Sequence, residues 1–219
     1  MCECLTIVYA ADRKVLTLGA ADQISAISID AASGKDINGD RLPDLVVSTW
    51  SGGAHCCYST AVYSVGNEAR SILSLDTGNC GPGQFSDLDN DGTLEFSTCD
   101  DSWGYAYCSF AESPFPNVVF AYDAAQRAYR LATPKYAARF RDEIANQTAE
   151  ARKRLAADGG KDLGVDKCTV LQPALSVMFL GQMDEGRKLL RDLYRGADLD
   201  EFEKETVERV RKSGLWVAR

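Results

Sequence analysis

The sequence predicts an α+β protein, with an antiparallel β region over residues 1–132 followed by a helical bundle over residues 133–219. Three observations predict it. Residues 1–132 hold 17 acids and 7 bases, a net of -10, whereas residues 133–219 hold 15 acids and 17 bases, a net of +2. Seven of the eight cysteines (Cys2, Cys4, Cys56, Cys57, Cys80, Cys99 and Cys108) precede Thr133, and only Cys168 follows it. Apolar residues before Thr133 come in short runs rich in Val, Ile, Tyr and Phe, cut by Gly, Asn, Asp and Ser, which is the pattern of strands and turns. After Thr133 the chain turns to Ala, Arg, Glu and Leu near helical spacing.

The expected strands are Leu5–Tyr9, Ile24–Ile29, Leu45–Thr49, Thr60–Val65, Leu94–Thr98 and Asn117–Tyr122. Pro134 opens a helix at its first turn, where its missing N–H has no partner to lose. That helix runs to about Ala157 and ends at Asp158-Gly159-Gly160. A second helix ends at Leu180, with Pro173 near its first turn and Gly181-Gln182 as the break. Met183–Tyr194 forms a third. Asp198 caps a fourth, with Glu201 three residues later completing a capping box in Asp form. Short turns between such helices favour an antiparallel bundle.

The β region repeats itself. Asp36-Ile-Asn-Gly-Asp-Arg-Leu-Pro-Asp44 lies over Asp87-Leu-Asp-Asn-Asp-Gly-Thr-Leu-Glu95 at an offset of 51, acid upon acid. The same offset pairs Gly53 with Gly104 and Cys57 with Cys108. After an insertion near Ser113-Pro114-Phe115-Pro116 the match resumes at an offset of 57, where residues 61–66 face 118–123 and Arg70 faces Arg127. A partial copy at Ile7–Arg13 brings the total to two and a half sheet units.

The repeated loop is the strongest chemical signal. Calcium takes six to eight oxygen ligands, and alternate residues of a tight turn point inward together. The first loop offers Asp36, Asn38, Asp40 and Asp44 with the carbonyl of Leu42. The second offers Asp87, Asp89, Asp91 and Glu95 with the carbonyl of Thr93. Neither is an EF-hand, which needs Glu at loop position 12; Val47 and Thr98 stand there.

Over residues 24–132 these strand-flanked loops resemble the FG-GAP/VCBS calcium-loop repeats of extracellular β-propellers and related bacterial secreted proteins. The resemblance implies two to three propeller-blade-like units and two calcium ions, at the ten positions just named. It implies no definite activity. Two departures matter. The family's glycine at the sixth loop position is Gly92 in the second copy but Arg41 in the first. A left-handed backbone there costs a non-glycine residue about 1 kcal/mol, and Arg41 adds positive charge. The second site is therefore expected to be the more secure. About two blades also cannot close a propeller, which takes 4–8.

Eight cysteines beside calcium loops point to an oxidising compartment and to disulfides; their spacings match no standard zinc pattern. Cys99 and Cys108 flank a hairpin that a bridge would span. Cys57 or Cys56 looks to Cys80, and Cys168 to Cys4 or Cys2. In Trp50-Ser-Gly-Gly-Ala-His-Cys-Cys-Tyr58, His55 and Cys56 alternate across a strand and point to opposite faces, which favours a structural histidine over a nucleophile–base pair. Trp50, Tyr58, Trp103, Tyr105 and Tyr107 suit either a binding surface or a core.

A net charge of -8 excludes a nucleic-acid binder built on a basic face, and no apolar run approaches the ~20 residues of a membrane span. Asp12, Arg13 and Lys14 interrupt any signal-peptide core, so the chain is read as starting at a mature N-terminus. The expected protein is a periplasmic or extracellular, calcium-binding, disulfide-stabilised binder of another protein or a cell-envelope ligand, without catalysis of its own. Two alternatives stand beside it. One is a periplasmic enzyme inhibitor or immunity protein. The other is a calcium-dependent hydrolase of envelope polymer using Asp100 and Asp101 or Glu112.

Overall fold

A computed structural model describes residues 6–10, 12–18, 26–53, 57–158 and 163–218. It has antiparallel sheets followed by helices, the α+β order expected. Strands β1 (Thr6–Ala10) and β2 (Arg13–Leu18) form a two-stranded antiparallel sheet. A four-stranded sheet follows in chain order: β3 (Ala26–Ile29), β4 (Asp44–Trp50), β5 (Tyr58–Val65) and β6 (Ala69–Gly78). A second sheet repeats that order with β7 (Gln84–Ser86), β8 (Glu95–Cys99), β9 (Asn117–Asp123) and β10 (Ala128–Leu131).

The repeat found in the sequence is thus a repeat of topology. In each sheet an acidic loop joins the first strand to the second. The offset of 51 carries β4 onto β8, and the offset of 57 carries β5 onto β9. Arg70 and Arg127, paired by that second offset, meet directly: the Arg70 Nη1 donates to the Arg127 carbonyl at 2.5 Å.

Two compact units partition the chain. One comprises Met1–Thr98 and Phe120–Arg130; the other comprises Cys99–Val119 and Leu131–Arg219. The segment 99–119, which the composition groups with the β region, therefore keeps its contacts with the helical part of the chain.

The first unit buries Ile37, Val46, Val62, Ile72 and Phe96. β4 is covered along Asp44–Ser48, so its middle reads as a continuous apolar run rather than an alternation. β5 alternates as a half-covered strand does. Phe96 packs at a tilt against Phe85 and Phe120. Gly83 must be glycine: its φ is +72°, and a Cβ there would lie 2.3 Å from the Phe96 ring.

The second unit contains α1 (Arg141–Asp158), α2 (Leu163–Phe179), α3 (Met183–Leu193) and α4 (Leu199–Lys212). Leu171, Leu175, Met178, Leu190, Phe202 and Val210 form its core. A Cβ on Gly186 would meet Met178 Cγ at 2.4 Å and the Ala174 carbonyl at 2.9 Å, so α3 approaches α2 as closely as glycine allows. No helix among the described residues is long and apolar enough to cross a membrane.

Three helix expectations are corrected. Pro134 begins a 3-10 segment, Thr133–Phe140, ahead of α1 rather than α1 itself. Pro173 lies inside α2, not in its first turn; the buried residues on either side hold the helix together across it. Asp198 precedes α4 but makes no side-chain cap. Its carboxylate instead takes Lys167 Nζ at 2.6 Å and the Tyr194 hydroxyl at 2.8 Å. An ammonium and a phenol are better donors than one more backbone amide.

Candidate functional site

The two acidic loops share one backbone. Positive φ occurs at the fourth and sixth positions of each: Gly39 (77°) and Arg41 (69°) in the first, Asn90 (60°) and Gly92 (90°) in the second. The left-handed sixth position expected from the glycine pattern is therefore present in both loops, and Arg41 adopts it.

The hydrogen bonds match as well. The ninth-position carboxylate accepts from the second-position amide, Ile37 N–H to Asp44 Oδ2 at 2.9 Å and Leu88 N–H to Glu95 Oε2 at 2.7 Å. The first carboxylate accepts from the sixth amide, Arg41 N–H to Asp36 at 2.8 Å and Gly92 N–H to Asp87 at 3.0 Å. The fifth accepts from the seventh, Leu42 N–H to Asp40 at 2.9 Å and Thr93 N–H to Asp91 at 2.8 Å. Three backbone amides per turn are thus fixed in the same way by the carboxylates that the sequence singled out. Asp44 and Glu95 open β4 and β8 and are each 1% exposed.

The third position separates the loops. Asp87, Asp89 and Glu95 bring carboxylate oxygens within 4.8 Å of one another. Three like charges this close repel unless a proton or a cation sits among them. The donor set is all oxygen, which suits a hard cation such as calcium, so the residues of the second loop fit the ion. In the first loop Asn38 stands at the third position, and its Nδ2 donates to Asp44 Oδ1 at 3.0 Å. Asn38 Oδ1 meanwhile accepts the Asp40 amide at 2.8 Å. The protein there supplies a donor of its own at the buried carboxylate. Burial, and then the charges of Asp40 and Asp36, push the Asp44 pKa up to about 6. Ser64 Oγ adds a hydrogen bond to Asp40 Oδ2 at 2.9 Å.

The loops also touch. Leu94 N–H donates to the Ile37 carbonyl at 2.8 Å, and a Cβ on Gly39 would lie 3.3 Å from Thr93 Cγ2. Beneath them Tyr129, 3% exposed, donates its hydroxyl to the Leu94 carbonyl at 2.9 Å. Burial raises the Tyr129 pKa well above the ordinary phenol value, and the nearby Asp44 and Glu95 raise it further. Sequence reasoning missed Tyr129 and Ser64. Tyr129 lies 35 residues from its partner and belongs to no motif.

All five described cysteines, Cys57, Cys80, Cys99, Cys108 and Cys168, are disulfide-bonded. Cys108 pairs with Cys168, which overturns both the Cys99–Cys108 bridge and a Cys168 bridge to Cys2 or Cys4. The odd cysteine of the β-patterned region does reach Cys168, but through α2 and the 99–119 segment of the same unit. Cys2, Cys4, His55 and Cys56 lie outside the described residues.

The aromatic segments divide between the units. Trp50 stacks on Tyr58 in the first. In the second, Trp103 is fully buried under the Arg209 guanidinium and Tyr107 packs edge-on against Phe202, while Tyr105 is 64% exposed. Asp100, one of the carboxylates offered as acid or base, is 3% exposed. Its Oδ1 accepts Ser102 N–H at 3.0 Å and its Oδ2 accepts Ser213 Oγ at 2.6 Å. Both oxygens hold structure. Glu112 accepts the Ser109 hydroxyl at 3.1 Å and faces Arg154 at 3.6 Å.

No family model matches the chain, and no solved structure matches it. A probable thylakoid lumen protein of Synechocystis sp. is 27% identical over 154 residues. The match covers 69% of this chain and 44% of that relative, so the chain spans less than half of its length.

Proposed function

We propose that this chain is a calcium-binding, disulfide-stabilised binding protein of an extracytoplasmic compartment, the periplasm or its equivalent, with no catalytic role. The observation that carries the reading is the meeting of Asp87, Asp89 and Glu95 in a loop whose left-handed positions and ninth-carboxylate hydrogen bond recur in the other loop. Asp87, Asp89, Asp91 and Glu95 with the Thr93 carbonyl would hold one ion. Asp36, Asn38, Asp40 and Asp44 with the Leu42 carbonyl would hold a second, weaker one. The likeness to FG-GAP/VCBS loops points the same way. Bonded cysteines and a relative named for a lumen support the compartment.

The ion supplies charge neutralisation and rigidity. The chain's own residues do the rest: the carboxylates fix the turn amides, and the two loops brace each other through Leu94 and Ile37. A structural ion of this kind stiffens the strand connections from which the Trp50 segment and its neighbours are presented to another protein or an envelope ligand.

Thermal melting tests the reading. An ion bound only by the folded state, at about 100 times its dissociation constant, adds about 2.7 kcal/mol, worth about 5–10 °C for a chain of this size. Asp89→Ala should remove more of that shift than Asn38→Ala. A melting temperature identical in calcium and in chelator would end the proposal.

A further inference from the structure

A cleft of about 440 Å³ lies within the helical unit, between α1, α2 and the turn at Phe110–Glu112. Its size is that of a small-ligand site. Consecutive packed helices normally close such a seam with apolar side chains. Here α1 buries only Ala151 deeply. It turns Asn146, Glu150 and Arg154 to the opening, one helical turn apart, and α2 answers with Thr169 and Gln172.

Of these groups, Asn146, Thr169 and Gln172 are uncommitted. Thr148 and Ser176 return their hydroxyls to the carbonyls four residues back, Ile144 at 2.7 Å and Gln172 at 2.9 Å, as helical Ser and Thr usually do. Thr169 does not, although it is only 8% exposed. Among the described residues none hydrogen-bonds the side chains of Thr169, Gln172 or Asn146. Pro173 also lacks the N–H that its helical position would give the Thr169 carbonyl. No polar side-chain atom of Thr169, Gln172 or Asn146 is sealed from solvent without a partner, so all three are open to the hydrogen bonds of a ligand in the cleft.

The charges are arranged differently. They sit at the rim: Arg154 and Glu112 form a loose pair at 3.6 Å with side chains 50% and 36% exposed, and Glu150, 59% exposed, lies 3.7 Å from the more exposed Lys153. An exposed pair of that kind is worth about 0–1 kcal/mol, so a ligand bearing both signs can exchange into it at little cost. The Cys108–Cys168 bridge ties the wall to the turn that carries Glu112, which preorganises the cleft.

We infer that this cleft binds a free polar α-amino acid. The ligand carboxylate pairs with Arg154 and its ammonium with Glu112 and Glu150. A neutral amide or hydroxyl side chain reaches inward to Thr169 and Gln172. No aromatic ring lines the cleft among the described residues, which disfavours a stacked base or a sugar ring held by its face.

Titration calorimetry of the full chain with L-glutamine tests the inference, with L-leucine and glucose as comparison solutes. The expected result is saturable binding of L-glutamine and at least about tenfold weaker binding of the other two. Thr169→Val keeps the side-chain shape, and Arg154→Ala alters a half-exposed residue; each should weaken L-glutamine at least about tenfold while leaving the melting temperature unchanged. Absence of L-glutamine binding up to about 10 mM, a free energy weaker than about 3 kcal/mol, overturns the inference. So does equal binding of leucine or glucose, or binding indifferent to both substitutions.

Discussion

The two acidic loops place different side chains on a shared backbone, and the third and sixth positions carry the contrast that matters for charge. Both take left-handed fourth and sixth residues, and both close the second amide on the ninth carboxylate. Asp89 and Gly92 in the second loop become Asn38 and Arg41 in the first. Where Asp89 joins a cluster of three carboxylates, Asn38 donates to the buried Asp44 and quiets it. The first loop holds the shared shape with an amide of its own. The second has three carboxylates in the same space and no such amide.

Exchanging those side chains is the strongest way to break the comparison. Asp89→Asn with Gly92→Arg should make the second loop behave as the first and abolish most of the calcium-dependent melting shift, about 5 °C or more. Asn38→Asp with Arg41→Gly should enlarge the shift and lower the melting temperature in chelator, since Asp44 then loses a donor and gains a like charge. If both exchanges leave the shift as it was, the third and sixth positions do not govern the ion.

A pH scan sharpens the same contrast from the side of the first loop. Asp44 has a folded pKa near 6 against an ordinary 3.8. Between those values the folded chain holds a proton that the unfolded chain has released, so stability in chelator should fall as pH rises from about 4 to 6. Calcium favours the ionised carboxylate and should flatten or reverse that slope. Asp44→Asn should remove this contribution and make the chelator slope between pH 4 and 6 more positive than in the parent chain. A chelator slope of the opposite sign would contradict the account of Asp44.

Smaller effects belong to the backbone. Gly92 at φ 90° should not tolerate a side chain freely: Gly92→Ala is expected to cost about 1 kcal/mol, read as a lower denaturation midpoint. Arg41→Gly relieves a similar strain but frees the unfolded chain, so its net change in chelator should be near zero. Equal costs at both positions would mean that the sixth residue is not under the same constraint in the two loops.

What could be read from the sequence follows the range of the interaction. Both loops, the strands around them, the end of α1 at Asp158 and the span of α3 rest on local pattern and turn chemistry. Each was visible in a window of about a dozen residues. The partner of Cys108, the diversion of Asp198 to Lys167 and Tyr194, and the transfer of 99–119 to the helical unit depend on what lies far along the chain. Asn38 shows the same limit within the site. Its residue type suggested an oxygen ligand, but the orientation of its amide toward Asp44 is set by the burial of that carboxylate.

Tyr129 gives the finest test, because it asks whether the two loops are one device. Ile37 donates to Asp44, the Ile37 carbonyl receives Leu94, and the Leu94 carbonyl receives the Tyr129 hydroxyl. Each link passes through a residue adjoining the ninth position of a loop or within its first turn. Tyr129→Phe deletes the last donor and leaves the ring in place. The expected loss is about 1 kcal/mol, the net worth of one buried hydrogen bond. Hydrogen exchange then distinguishes a brace from a link. If the loops act together, the amides of Leu94 and Ile37 should both exchange faster in Tyr129→Phe, by similar factors. Faster exchange at Leu94 alone would show that the first loop keeps its shape without the second, and that the shared backbone is repetition rather than coupling.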